Sequence, residues 1–210
     1  MTRPWETIIP GPAADFAAAL TGQLPVLETT RLRLRAPQLT DFDAWAEVFC
    51  GPAGAHLGGP FDRDAAFTEF TATCGLWLLR GHGLWTVEAK AGGEVLGFVL
   101  IGFEPGDQAP ELGYLFRPAA EGYGYATEAA TALRDHAFST LRMDRLVSYI
   151  DPANRRSQRV AERLQARRVA DHDGSQVWLH RPVGLAEVSG HTETAGRRMD
   201  DVQKAAKGGA

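Results

Sequence analysis

Apolar and polar positions follow two rhythms along this chain. Arg31–Ala36 (RLRLRA) alternates at period two, which predicts a half-exposed strand. Phe42, Trp45, Ala46, Val48 and Phe49 recur at helical spacing, with Thr40 and Asp43 as a near capping box in front of them. The loop Gly51–Pro60 is rich in Gly and Pro, and Asp62–Leu79 reads as a second helix. Leu84–Ala89 alternates again, with Trp85, Val87 and Ala89 on one face. Gly92-Gly93 folds it back on Val95–Phe103, whose nearly unbroken apolar run suits a central strand. A strand at Glu111–Phe116 precedes a helix striped by Ala126, Ala130, Leu133, Ala137 and Leu141. Arg145–Ile150 is a strand, and Asn154 caps a helix predicted to run to about Arg168. Val169 and Val177–Leu179 mark two last strands around Asp173-Gly174.

The resulting order is β, α, α, β, β, β, α, β, α, β, β. It describes a mixed α/β domain with an antiparallel half and one strand–helix–strand crossover, right-handed and joining parallel strands. Residues 1–25 form a leader punctuated by Pro10, Gly11 and Pro12, in which Ala13–Leu20 makes two helical turns. The domain proper spans 26–183, and 184–210, nearly free of large apolar residues, reads as a flexible tail.

Composition narrows the partners. The chain has 210 residues, 44% apolar and 23% charged, as expected of one globular domain with a sizeable core. A net charge of −4 argues against nucleic acid. No apolar run approaches the roughly 20 residues that span a membrane. The first 25 residues lack the apolar core of a signal peptide, so the expected location is the cytoplasm. Cys50 and Cys74 fall in helical segments with no CxxC pair or His cluster. They are expected to be reduced, half-buried thiols, with neither disulfide framework nor metal site.

The most informative stretch is Glu111–Asp135, ELGYLFRPAAEGYGYATEAATALRD, where a strand runs into a Gly-rich turn that opens an Ala-rich helix. Unpaired N–H groups and the helix dipole make such a turn a phosphate cradle. A dinucleotide fingerprint would require Gly where Thr127 stands, and Asp151 lies too far on to serve as its ribose acid. No Gly-Lys-Ser/Thr follows, which excludes a Walker loop.

Glu121-Gly122-Tyr123-Gly124-Tyr125-Ala126 resembles the pyrophosphate-binding Q/R-x-x-G-x-G/A motif of the GNAT N-acetyltransferases. GYGYATEAA, the opening ETTRLRLR (Glu28–Arg35) and Asn154–Leu164 (NRRSQRVAERL) are similar to the branch containing ribosomal-protein N-terminal acetyltransferases. The resemblance implies the acyl-CoA N-acyltransferase fold, a mixed sheet of about seven strands flanked by about four helices. It also implies acetyl-CoA, no metal, and acetyl transfer to a primary amine, either a protein N-terminus or a small molecule. On these motifs Tyr114, Leu115, Phe116 and Arg117 would line the pantetheine arm, with an N–H near Leu115 on the acetyl carbonyl. The backbone of Gly122, Tyr123, Gly124, Tyr125, Ala126 and Thr127 would cradle the pyrophosphate, and the Asn154 amide would hold the pantetheine. Two positions depart from the pattern. Glu121 replaces Gln or Arg, so only its backbone should face phosphate, and Gln165-Ala166 replace a Gly-aromatic pair.

The acceptor amine must lose a proton before it attacks. Glu111, before the cofactor strand, is the first candidate base; Asp171, His172 and Asp173 are weaker ones. The Tyr that many members place seven residues after the Asn is Ala161 here. By resemblance Ser157, one turn beyond Asn154, would donate to the departing sulfur; otherwise it is an ordinary first-turn Ser satisfying an N–H. The expected acceptor pocket draws on Trp45, the His56 loop, the segment around His82 and Trp85, and the last hairpin. A non-catalytic acyl-CoA-binding module is the alternative function, and a homodimer is compatible with either.

Overall fold

Both rhythms end in one sheet that is covered on its two faces. The computed structural model describes residues 3–182; the tail predicted for 184–210 lies outside them. The order is α1 (Pro12–Thr21), β1 (Leu27–Glu28), β2 (Leu32–Arg35), α2 (Phe42–Phe49), α3 (Arg63–Arg80), β3 (Leu84–Ala89), β4 (Val95–Gly102), β5 (Glu111–Phe116), α4 (Tyr125–Ser139), β6 (Leu146–Ile150), α5 (Arg155–Arg163), β7 (Arg167–His172) and β8 (Ser175–His180). The strands form one eight-stranded sheet in the order β1-β2-β3-β4-β5-β6-β8-β7. All neighbours are antiparallel except β5 and β6, joined in parallel through the α4 crossover.

Alternation along β3 and β4 divides the core. Trp85, Val87, Val99 and Ile101 point to one face, where Ala129, Ala130, Leu133 and Ala137 of α4 cover them. Leu84 and Phe98 point to the other, against Phe42, Trp45, Phe49 and Phe70 of α2 and α3. β4 is buried on both sides because its run is apolar at odd and even positions alike. Gly97 lets β5 approach: a Cβ there would stand 2.3 Å from the Leu115 carbonyl oxygen. Trp85 and His82 are core residues, the latter fastened by Nδ1 to the Ile101 carbonyl at 2.8 Å, so neither belongs to an acceptor pocket.

Local chemistry moves two predicted boundaries. Asp41 rather than Thr40 holds the N-cap position of α2, without a side-chain bond to that helix, and Asp43 pairs with Arg63 at 2.5 Å instead of completing a capping box. The Asp41 carboxylate is buried and takes two bonds from the Arg35 guanidinium (2.7 and 2.8 Å), one from Thr86 Oγ1 and one from the Gln38 N–H. Arg35 also reaches Glu88 at 2.6 Å, which ties β2, β3 and the entry to α2 together. α5 ends at Arg163 instead of about Arg168, because Gln165 takes a left-handed φ of 60° and the chain turns into β7. β1, two residues long, has no periodicity to betray it. Cys50 is exposed at the end of α2, whereas Cys74 is partly buried.

Candidate active site

β5 and β6 are in register at a single pair, Glu111 opposite Val147. Beyond that pair they diverge, so the β5 groups that would face β6 from Gly113 to Phe116 have no ladder partner. A side-chain bridge holds the fork. Ser148 Oγ donates to the Leu112 carbonyl at 2.7 Å and lies 3.0 Å from Nε2 of the buried His180 on β8. Burial, with the Arg134 charge nearby, lowers the His180 pKa to about 4, so its imidazole is neutral at ordinary pH.

The fork opens into a cleft of about 550 Å³. Glu111, Tyr114, Leu115, Asn154 and Ser157 line it together, although they come from two segments, β5 and the start of α5. Glu111 sits at the apex, its Oε1 taking a 3.4 Å bond from the Tyr149 N–H. Burial raises its pKa to about 8; the Tyr149 N–H opposes the shift, and the Asp107 and Glu104 charges add to it. Asn154 Oδ1 caps α5 by accepting from the Ser157 N–H at 3.1 Å. The Ser157 hydroxyl makes no hydrogen bond among the described residues, so it is not consumed in capping. The Tyr114 hydroxyl donates to the Ser157 carbonyl at 2.8 Å, and burial raises its pKa further from neutrality.

At the far end of β5 the Gly-rich turn adopts the conformation its glycines permit. Gly122 and Gly124 have φ of 85° and 81°, the left-handed region, and Gly124 is the N-cap of α4. The first helical bond runs from the Glu128 N–H to the Gly124 carbonyl. The N–H groups of Tyr125, Ala126 and Thr127 are therefore left without intrahelical acceptors. Glu121 turns its carboxylate to Arg156 on α5, which meets its charge. The side chain of Arg117 is engaged by Glu47 at 2.7 Å and Glu94 at 3.4 Å, and its N–H donates to the Leu96 carbonyl at 3.0 Å, so Arg117 does not line the cleft. Phe116 packs into the α4-side core.

Of the remaining expected residues, Trp45, His56, His172 and Asp173 line the cleft. His172 is held by the Gly106 carbonyl at 3.1 Å and Gln108 at 3.2 Å. Asp171 faces away, paired with Arg168 at 2.7 Å.

Three features had no signal in the sequence. His56 Nδ1 meets Asp151 at 2.6 Å across the cleft mouth. Arg31 clamps Glu128 by Nε at 2.7 Å, donates to the Tyr123 carbonyl and lies over the Tyr125 ring, joining the opening strand motif to the Gly-rich motif. A row of carboxylates, Glu69, Glu104 and Asp107, borders the cleft beside Glu111. Each joins residues distant in sequence, and only the Arg31–Glu128 pair had both members inside predicted motifs.

The acetyltransferase (GNAT) domain profile matches residues 31–167. The chain is 36% identical to a crystallised acetyltransferase from Agrobacterium tumefaciens, covering 76% of this chain and 96% of that one, with a TM-score of 0.72. Mycobacterium smegmatis RimJ, solved in complex with CoA-disulfide, shares the fold at 19% identity and a TM-score of 0.60, over 79% and 91% of the two chains. Among curated proteins, the uncharacterized protein YkkB of Bacillus subtilis is 38% identical over 91 residues, 40% of this chain. The chain spans about half (52%) of that relative's length. Profile, fold and forked site agree, and the chain belongs to the GNAT acetyltransferase family.

Proposed function

We propose that the protein is an acetyl-CoA-dependent N-acetyltransferase that moves an acetyl group to a primary amine. The observation that carries this reading is the β5–β6 fork, which gathers unpaired strand edge, Glu111 and Ser157 in one cleft, with the Gly-rich turn beyond the far end of β5. The residues fit acetyl-CoA. Left-handed glycines bare the first-turn N–H groups of α4, and a strand edge with unused hydrogen-bonding groups leads from there to Glu111.

Acetyl-CoA supplies the activated thioester. The N–H groups of Tyr125, Ala126 and Thr127 bind the pyrophosphate, the free edge from Tyr114 to Phe116 and the Arg117 that follows it orient the pantetheine, and the Asn154 amide donates to it. A β5 N–H near Leu115 faces the acetyl carbonyl oxygen and stabilises the charge that develops there, an effect of a few kcal/mol. Glu111 accepts the proton that the acceptor ammonium must lose, so the nitrogen lone pair is free for the new C–N bond. Its raised pKa of about 8 brings it nearer to an amine than an ordinary carboxylate is. As the C–S bond breaks, the Ser157 hydroxyl donates a hydrogen bond to the sulfur.

Calorimetry with acetyl-CoA, followed by free-thiol release over an amine panel, tests the reading. Absence of acetyl-CoA binding overturns it. Tight binding without turnover of any amine favours the alternative, an acyl-CoA-binding module with no catalysis.

A further inference from the structure

Parallel strands exchange evenly spaced bonds, so each rung fixes the partners of the next. The Val147 N–H takes the Pro110 carbonyl at 2.9 Å, and the following rung would carry the Tyr149 N–H to the Leu112 carbonyl. That rung is missing. Ser148 Oγ occupies the Leu112 carbonyl at 2.7 Å, and the Tyr149 N–H turns to Glu111 Oε1 at 3.4 Å. One rung later the ladder would consume the Tyr114 N–H, so the exchange of partners also keeps the strand edge of the cleft free.

The Ser148 hydroxyl has one proton, and the Leu112 carbonyl receives it. His180 Nε2, 3.0 Å from the same oxygen, is therefore the donor in that contact. Nδ1 is then bare, and among the described residues it meets no hydrogen-bond partner. Burial, with the Arg134 charge, keeps the ring from taking a second proton. His180 thus presents a fixed N–H that leaves Ser148 one direction in which to donate. An idle buried nitrogen and a forgone ladder bond both cost stability. Every other pair of neighbouring strands holds two or more residue pairs. A local departure of this kind points to a site. Here it falls beside Glu111, and Ser148 itself lines the cleft.

Resting on the acetyl-transfer reading, we infer that Ser148, held by His180, is a positioning residue: it takes the Leu112 carbonyl out of the ladder and turns the Tyr149 N–H onto the base Glu111. Burial raises the pKa of Glu111, and the Tyr149 N–H is the contact that opposes the rise by stabilising the carboxylate. Without the Ser148 hydroxyl, Tyr149 closes on Leu112 and Glu111 loses that donor, so it holds its proton more tightly.

Carbon-13 NMR of protein labelled at its glutamate carboxyl carbons follows Glu111, whose signal is the one lost in E111Q. Ser148→Ala should move the Glu111 titration midpoint upward by about half a unit or more. The rise of kcat/KM with pH should move with it, a loss of about threefold at neutral pH. Thiol release with n-hexylamine, 1,4-diaminobutane and a free-N-terminus hexapeptide supplies that profile. His180→Leu should act in the same direction. Ser148→Thr and His180→Gln keep a hydroxyl and an N–H at those points and should leave both midpoints near wild type. The other titratable groups around Glu111 are Glu104 and Asp107 of the β4–β5 loop, Tyr114, Glu69 of α3, the His56–Asp151 pair and the His172-Asp173 turn. None is altered, so the shift reports the Tyr149 bond. A Glu111 midpoint unmoved in S148A, or moved equally in S148T, overturns the inference and leaves the transfer reading standing. A loss of kcat/KM uniform across pH, as a merely structural role would give, overturns it too. Thiol release from no amine at all overturns the transfer reading, and this inference with it.

Discussion

Replacing Glu111 by Gln should stabilise the fold in alkaline solution while removing turnover. Folding carries this carboxyl from an ordinary pKa of 4.5 to about 8, chiefly by burial in the β5–β6 fork. An acid whose pKa is raised on folding holds its proton more tightly in the folded state. Its charge therefore costs stability as pH rises through the interval, nothing below the unfolded pKa and the full amount above the folded one. At about 1.36 kcal/mol per unit the ceiling is roughly 5 kcal/mol. Because the carboxylate faces an open cleft, solvent should reduce this to on the order of 2 kcal/mol. For a domain of this size that is about 4–8 °C in Tm. Gln keeps an oxygen for the Tyr149 N–H, so that bond survives. Melting both proteins at acid, neutral and alkaline pH should show equal midpoints near the unfolded pKa and a more stable variant above the folded one. In parallel, wild-type kcat/KM should rise with pH through about 8, and the variant should lose about 10²-fold or more. A Tm difference independent of pH would refute the burial argument. Retention of kcat/KM within about threefold would refute the assignment of Glu111 as base.

Other outcomes follow from single residues. Ser157→Ala should lower kcat about tenfold with little change in acetyl-CoA affinity by calorimetry, since its hydroxyl is not used in the fold; an unaltered kcat would remove it from the mechanism. Gly124→Ala places a Cβ at a left-handed φ of 81° and should cost about 1–2 kcal/mol while weakening acetyl-CoA binding. Gln165→Gly should raise the unfolding free energy by up to about 1 kcal/mol in urea titration, because Gln holds a φ of 60° that Gly takes freely; a lower value would show no strain there. Asp41→Ala removes the partner of a half-buried guanidinium and should destabilise by about 3–5 kcal/mol in urea.

Legibility followed how local the cause was. The α4 stripe, the β3–β4 hairpin and the Gly-rich turn were readable because spacing within a dozen residues sets which side chains share a face. The start of α2 differs from the expected one because the Asp41 carboxylate answers to Arg35, Thr86 and the Gln38 N–H rather than to that helix. The end of α5 was misplaced because a Gln occupies a conformation that composition assigns to Gly. The sequence draws the acceptor pocket partly from the segment around His82 and Trp85, but the fold buries both side chains in the core.

By itself the sequence determined the strand–turn–helix unit, the family motifs and the identity of Glu111, Asn154 and Ser157 as candidates, since periodicity and turn chemistry act between near neighbours. Only the tertiary structure decided that β5 and β6 part after one residue pair, that Ser148 and His180 bridge the fork, and that carboxylates from α3 and the β4–β5 loop stand beside Glu111. Those facts depend on which distant segments come to lie side by side. Strand pairing and through-space charge set them, and neither is written in the spacing of any one segment.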